Sequence, residues 1–435
     1  MNKMNRSAQL TLVFGVLLCL SLGVNAAQSL NAGKLKMQLA IERQRDLTDV
    51  ARAMADIEIN LEKLLIASGA SQSAQLLGET ALLAQHVESG ISRLPMEMET
   101  AAQAMKFAGQ MGDYAMTLAK QVSGGSMLTR MDETQIEDLL AACQGLNEHL
   151  AGMHETIYDA PSGRLEEGAN VWPDEQDING SAIDYPSLIY DGPFSDGRIN
   201  GAPKGLTGER ITRQQARQAA ARYASVSVDR IADAADSGGA FEAFGFTAQT
   251  DTGNVSVQVT GQGGHLLWMM PENAQYEVRL TKEDCLNAAQ AYLKQMGYGD
   301  MERCFVQEYD GMIVANFAAM QDGVLLYPDQ VKLQVSMQTG MVVGAECSQY
   351  LTNHQRRSGL TPVLAKEEAQ LSISDRLSLL GERLCVIPAD AQELLCWEFK
   401  GKFLGSVYYV YVDAQSGEAV KILRLERTQE GDTVV

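Results

Sequence analysis

The C-terminal half of this chain states one pattern three times, and that repetition limits what the chain can fold into. Val255, Val257 and Val259 alternate with polar residues, and Gln262 and Gly264 follow. Val331, Leu333 and Val335 lead in the same way to Gln338 and Gly340, and Tyr408, Val410 and Val412 lead to Gln415 and Gly417. Period-two alternation marks a strand with one buried face. A glycine at a fixed offset suits a tight turn that needs positive φ. Short apolar stretches come next, at Leu266 and Leu267, at Met341 to Val343, and at Ala419 and Val420. A helical pattern precedes each copy, so the repeated unit is a helix followed by a small antiparallel sheet. Recurrence at roughly 75 residues is the mark of duplicated small domains. None of the repeated residues is a catalytic group, which points to binding or regulation.

The repeats do not account for the whole length. With 435 residues the chain holds about three or four domains, taking roughly 100–200 residues for each. A net charge of −20 excludes a polyanion partner such as nucleic acid, whose binders carry a basic stripe. It also opposes anionic lipid, so membrane contact needs a dedicated segment. That segment is residues 1–27. Lys3 and Arg6 precede an apolar stretch from Leu10 to Val24. Small residues at Val24 and Ala26 permit cleavage after Ala26, while Ala8 to Ala27, left uncleaved, is long enough to span a bilayer. The basic end stays inside, so the remainder is exported in either case.

Residues 28–160 read as a helical domain. Leu47, Val50, Met54, Ile57, Leu61 and Leu64 keep the three-four spacing of a buried helical seam, ended by Ser68 and Gly69. A second helix is predicted from Ser73 to Glu88 with Leu76, Leu77, Leu83 and Val87 on one side. Pro95 opens a third, which carries Met96, Met105, Met111, Met116 and Leu118, the methionines read as core filler in preference to a binding surface, up to Gly124 and Gly125. The fourth starts near Asp132, uses Ile136, Leu139, Leu140, Cys143, Leu146 and Leu150, and stops before Pro161. Short connections between four helices predict an antiparallel bundle. Periodicity then fails across 161–205, an acidic, proline-bearing linker. Within it Tyr185, Leu188, Ile189, Tyr190 and Phe194 crowd into ten residues, too aromatic for a spacer. Tyr185, Tyr190 and Phe194 are therefore the candidate docking or partner-binding residues.

Thr212 and Thr281 sit as N-caps before the first two module helices, and Thr281 with Asp284 forms a capping box. The third helix begins near Thr361 and includes Lys366, Glu368 and Ala369. The predicted fold class is α+β: a helical bundle, then helix-on-antiparallel-sheet modules at 206–272, 276–350 and 358–428. Catalytic chemistry is hard to find. His149 and His154 are five apart, off the i, i+4 spacing of a zinc-protease helix. His265 follows the first turn glycine, but Met341 and Glu418 hold the matching places. No nucleophile elbow or phosphate loop is present, and Gly261 to Gly264 misses the dinucleotide spacing. Asp413 and Glu418 near the third turn could pair in principle, but with 55 acidic residues in the chain chance proximity is the stronger explanation. The seven cysteines make no C-x-x-C pair and read as buried thiols. No catalytic, cofactor or metal residues are assigned.

The third repeat ends in Val412, Asp413, Ser416, Gly417 and Glu418, and resembles the PepSY domain, whose last strand follows an aspartate, a Ser/Thr-Gly turn and an acidic residue. The middle copy has Ser336 and Met341 at the acidic places, and the first has Thr260 and His265. The wider layout is more specific. An N-terminal membrane segment, a helical region, the block from Tyr185 to Asp196, then Pro203 to Leu206 and three PepSY-like units resemble the YpeB family of spore germination proteins. That resemblance implies a non-enzymatic protein that localises, stabilises and restrains a cortex-lytic peptidoglycan hydrolase. It implies a place at the spore inner membrane with the bulk of the chain on the outer, cortex side, a cleaved secreted form being the other outcome. Partners would be that hydrolase and, through the first segment, the membrane; no cofactor is implied. The competing reading is an exported peptidase, a peptidoglycan-acting enzyme or a propeptide-like inhibitor of a secreted protease.

Overall fold

A computed structural model describes residues 41–434 apart from 43, 95–97, 126, 159–202, 239–240, 273–274, 310, 390–391 and 429–430. The apolar segment 1–27, Pro95, Met96 and the aromatic block around Tyr185, Tyr190 and Phe194 lie outside the described residues. Two compact units result. One gathers the described residues up to Leu65 and from Ser73 to Tyr158; the other holds Ile66–Gln72 and the described chain from Pro203 on.

The first unit takes its described secondary structure from helices: α1 (44–66) as far as Leu65, α2 (Ala70–Ile91) from Ser73, α3 (Met98–Ser123) and α4 (Arg130–Tyr158). Leu47, Val50, Met54, Ile57, Leu61 and Leu64 are all buried, so the three-four seam is the core face of α1. Asp46 near the start of α1 accepts from Arg93 beyond the end of α2, at 3.0 Å, so these two helices run antiparallel. Glu58 ties α1 to α4 through Asn147 at 2.6 Å, and Cys143 on α4 meets Met111 on α3 at 3.6 Å. The methionine expectation for α3 needs correcting. Met111 is buried, but Met105 is only half-buried and Met116 is exposed. Ala104, Ala108, Ala115, Leu118, Ala119 and Val122 form the seam instead. Small side chains let helices approach closely and flexible methionines are not needed to fill the gap. α4 begins earlier than expected because Thr129 and Asp132 make a capping box: the Thr129 amide donates to Asp132 at 2.8 Å and the Asp132 amide to the Thr129 hydroxyl at 3.2 Å.

The second unit contains the repeats. The first is α5 (Arg213–Tyr223) with β1 (Ile231–Ser237), β2 (Ala243–Thr250), β3 (Gly253–Thr260) and β4 (Leu266–Pro271). The middle one is α6 (Lys282–Gln295) with β5 (Met301–Tyr309), β6 (Met312–Gln321), β7 (Val324–Ser336) and β8 (Val342–Glu346), followed by α7 (Ser348–Asn353). The third is α8 (Lys366–Gln370) with β9 (Ser378–Ala389), β10 (Gln392–Phe403), β11 (Ser406–Asp413) and β12 (Ala419–Thr428), to which β13 (Gly431–Val434) is added. Thr212 and Thr281 cap as expected, and Gln215 gives Thr212 the same reciprocal box that Asp284 gives Thr281. The third helix starts later than Thr361: Ala365 is its N-cap, and its amide donates to Glu368 at 2.9 Å.

Three separately bounded modules were expected, and here the structure differs. Among the described residues all thirteen strands belong to one sheet, ordered β1-β2-β3-β4-β8-β7-β6-β5-β13-β12-β11-β10-β9. The first and middle repeats join where Trp268 and Met269 pair with Glu346 and Ala345. The helix-side faces of these two merge into one core, which includes Tyr223, Val257, Leu286, Phe317 and Leu333. Tyr223 and Tyr292 occupy the same place in α5 and α6, and the Tyr292 hydroxyl crosses to the Tyr223 carbonyl at 3.0 Å. Middle and third repeats join twice, through β5–β13 and through a parallel β7–β9 pairing of Leu325 and Leu326 with Cys385 and Val386. These pairings close β5, β6, β7 and β9–β13 into a ring around a second core of Leu325, Tyr327, Ile387, Tyr411 and Leu423. The physical reason is edge strands. A small sheet leaves donors and acceptors unpaired along its edges, and the repeats satisfy them with one another.

Candidate functional site

Two places in the second unit concentrate polar chemistry: the repeated turns, and a break in β7. The turns come first because the sequence pattern singles them out. Gly264, Gly340 and Gly417 have φ of +66°, +72° and +77°, the left-handed region that favours glycine. A Cβ at each would lie about 3 Å from one methyl of an aliphatic residue, Ile211, Leu280 or Leu364. Those three residues each directly precede a helix N-cap, so every turn glycine seats the entry to its own repeat's helix. The residue that ends the strand caps the turn. Asp413 accepts from the Gln415 amide at 2.8 Å, Ser336 accepts from Gln338 at 3.2 Å, and Thr260 accepts from His265 at 2.9 Å. The PepSY-like signature is thus accounted for by turn geometry. Asp413 and Glu418 meet through the backbone: the Asp413 amide donates to the Glu418 carbonyl at 2.9 Å, and the Glu418 amide donates to the Ser416 hydroxyl at 3.2 Å.

The second place follows from register. Ala318 on β6 pairs with Gln330 of β7, but the next residue, Ala319, pairs with Leu326. Tyr327, Pro328 and Asp329 are therefore passed over by β6, and a proline, lacking an N–H, suits such a position. Asp329 is fully buried. Arg357, from the segment after α7, donates to its two oxygens at 2.8 and 2.7 Å, and to Glu393 on β10 at 2.6 and 2.7 Å. His354 Nδ1 lies 2.7 Å from Asp329 Oδ2, and its ring stacks on Tyr350 with centroids 4.2 Å apart. On the other side, the Tyr327 hydroxyl donates to Glu398 at 2.5 Å, while Arg383 donates to Tyr327 at 2.7 Å and to Glu398 at 2.6 Å. Burial opposes charge on both arginines. For Arg357 the bonds to Glu393 and Asp329 outweigh it, and for Arg383 the neighbouring Tyr327 and Glu398 do so. Burial, then the Glu398 charge, pushes the Tyr327 phenol well above its ordinary range.

These groups hold each other. Bidentate arginine–carboxylate pairs fix orientation, and here they bind the middle repeat to the third across the β7 break. The thiols are equally inward-looking: Cys143, Cys285, Cys304, Cys347, Cys385 and Cys396 are free, and Cys304, Cys385 and Cys396 line the second core. Burial pushes Cys304 and Cys396 up to about 12, which keeps them protonated and poorly nucleophilic. Among the described residues no three His, Cys, Asp or Glu side chains are arranged to hold a metal ion. His265 Nε2 lies 2.7 Å from the Thr207 carbonyl, a structural tie. Tyr185, Tyr190 and Phe194 lie outside the described residues. The Asp329–Arg357 clamp went unnoticed in the sequence. Pro328 inside a strand pattern was the available signal for the break; Arg357 left none.

Comparison with known proteins gives this architecture its context. Residues 31–162 match the family described as YpeB N-terminal, and residues 173–359 match YpeB sporulation, PepSY1 and PepSY2 domains. The chain belongs to the YpeB family. A protein of Halalkalibacterium halodurans named Sporulation protein YpeB is 27% identical over 234 residues, which is 53% of this chain and 52% of that protein, so this match spans about half of the relative's length. The Bacillus subtilis protein of the same name is 20% identical over 366 residues, 80% of this chain and 81% of its own. The solved Bacillus megaterium YpeB C-terminal domain is 26% identical, with a TM-score of 0.47, and covers 50% of this chain and 100% of that one. These relatives are sporulation proteins by name, and this chain combines helices with an antiparallel sheet. Among the described residues no helix is long and apolar enough to cross a membrane.

Proposed function

We propose that this chain is a non-enzymatic spore germination protein that localises, stabilises and restrains a cortex-lytic peptidoglycan hydrolase. Membership of the YpeB family is the observation that carries this reading. The site geometry is in keeping with it. The repeat signature serves to turn the chain, and the buried charges at the β7 break serve to join two repeats. A protein of this build presents surfaces and keeps its reactive groups inside. Residues 1–27 would hold the chain at the spore inner membrane, with the repeats on the cortex side. Tyr185, Tyr190 and Phe194 would either dock on the first repeat or meet the hydrolase.

Deleting the gene tests the reading. Dormant spores should lose the hydrolase from their extracts, and cortex breakdown during germination should slow. Normal hydrolase content with normal cortex breakdown would overturn it. Purified chain should leave cortex peptidoglycan and denatured casein intact; degradation of either would favour the enzymatic alternative. Replacing Tyr190 and Phe194 by Ala separates the two roles of the aromatic block. A lower melting temperature marks docking within the chain, and unchanged melting with lost hydrolase retention marks a partner surface.

A further inference from the structure

The third repeat is short of helix. α5 and α6 have 11 and 14 residues, whereas α8 has 5. At about 1.5 Å per residue, α8 covers roughly half the length of sheet that α5 covers. The strands beneath it are no less apolar: Phe399, Tyr408, Val410, Val412 and Ile422 are all buried. The residues flanking α8 cover this core only in part: Leu377 is buried in it and Ile373 packs against it, whereas Val363 is 72% exposed and Leu371 is 86% exposed.

Further cover comes from Ile66–Gln72, which belongs to this same compact unit. Ile66 is buried within the third repeat's core, and Ala67 packs beside it. The Ser68 hydroxyl donates to the carbonyl of Ser372, two residues past the end of α8. At Gly69 a Cβ would lie 3.1 Å from the carbonyl of Ala419, the first residue of β12. Four consecutive residues thus meet the third repeat through an apolar side chain, a small side chain, a hydrogen bond and a close backbone approach. The Ser68 contact falls just past the last residue of α8, where that helix stops short.

We propose that residues 66–72 substitute for the missing turns of α8, so that the fold of the third repeat is conditional on them. Withdrawing this segment would uncover Tyr408, Phe399 and Ile422 and loosen β11 and β12. The first and middle repeats, each with a full helix, would keep their cores. The third repeat is then the part of the sheet whose order can be set by a segment from far earlier in the chain. This inference stands independently of the hydrolase reading.

Hydrogen–deuterium exchange on the full chain tests it. Gly69→Val places a branched side chain against the Ala419 carbonyl while leaving the residues of α1 and α2 unchanged. Ile66→Asp removes the apolar contact directly. Both variants should exchange about tenfold faster across 406–413 and 419–425, with peptides from β2 and β3 unchanged, because local opening is read region by region. Far-UV circular dichroism checks that the helices of Gly69→Val persist. Unchanged exchange at 406–425 in Gly69→Val would overturn the proposal. Faster exchange spread equally over β2 and β3 would also overturn it, as that is global destabilisation.

Discussion

Leu333→Ala asks whether the register of the middle repeat has been assigned to the correct face. Leu333 is 0% exposed and lies in the core shared by α5, α6 and the strands of the first and middle repeats. Its neighbours across the ladder are Ala315 on β6 and Ala345 on β8. Truncation removes three carbons, about 2.4 kcal/mol at roughly 0.8 kcal/mol each. Two flanking alanines cannot reach into the space left, so a cavity contribution adds to it. The total belongs in the upper half of the usual range, about 3–4 kcal/mol. Lys332 is one residue away, faces the opposite side and keeps its charge near Glu346. Lys332→Ala should cost about 1 kcal/mol or less, as most substitutions off the core do. Urea unfolding followed by tryptophan emission compares the two, since Trp268 lies on β4 in the same continuous sheet. Equal losses would refute the register, because a one-residue slip exchanges the two faces.

Arg357→Met leaves Asp329 buried beside one histidine and without its bidentate partner, so the chain should lose about 3–5 kcal/mol by the same assay. Adding Asp329→Asn should recover most of that loss; no recovery would mean the clamp is not the cause. Gly417→Ala forces a side chain into φ +77° and against Leu364, and should lower stability by about 1–2 kcal/mol, with a matching fall in melting temperature. Lys332 carries a pH signature. Burial lowers its pKa from 10.5 to about 8, partly offset by Glu346. Between those values the unfolded chain binds more protons than the folded one, so this residue makes stability rise as pH climbs from about 8 to 10.5. Unfolding free energy measured against pH for wild type and Lys332→Met should show that rise in the difference between them; parallel curves would contradict it.

Much of this protein was legible from local pattern. The four helices follow from three-four spacing, and Thr212 and Thr281 cap where their side chains can reach backbone amides. The three turn glycines were legible because positive φ is a constraint on one residue and needs no tertiary partner. The contrast at α3 is instructive: methionines and alanines both continue a helical stripe, and only the neighbouring helices decide which of them is buried. Three matters depended wholly on tertiary structure. The first is that the repeats share one sheet, because edge pairing between Trp268 and Glu346, or Leu325 and Cys385, depends on which edges meet and not on either strand's alternation. The second is the Asp329–Arg357–Glu393 clamp, since an arginine in an irregular segment carries no periodic signal of the two carboxylates it will join. The third is the cover that Ile66–Gln72 gives the third repeat. Alternation, capping and turn chemistry act over a few residues and are written in sequence, whereas the choice of partner for an exposed edge or a half-covered core is made by packing between segments tens to hundreds of residues apart.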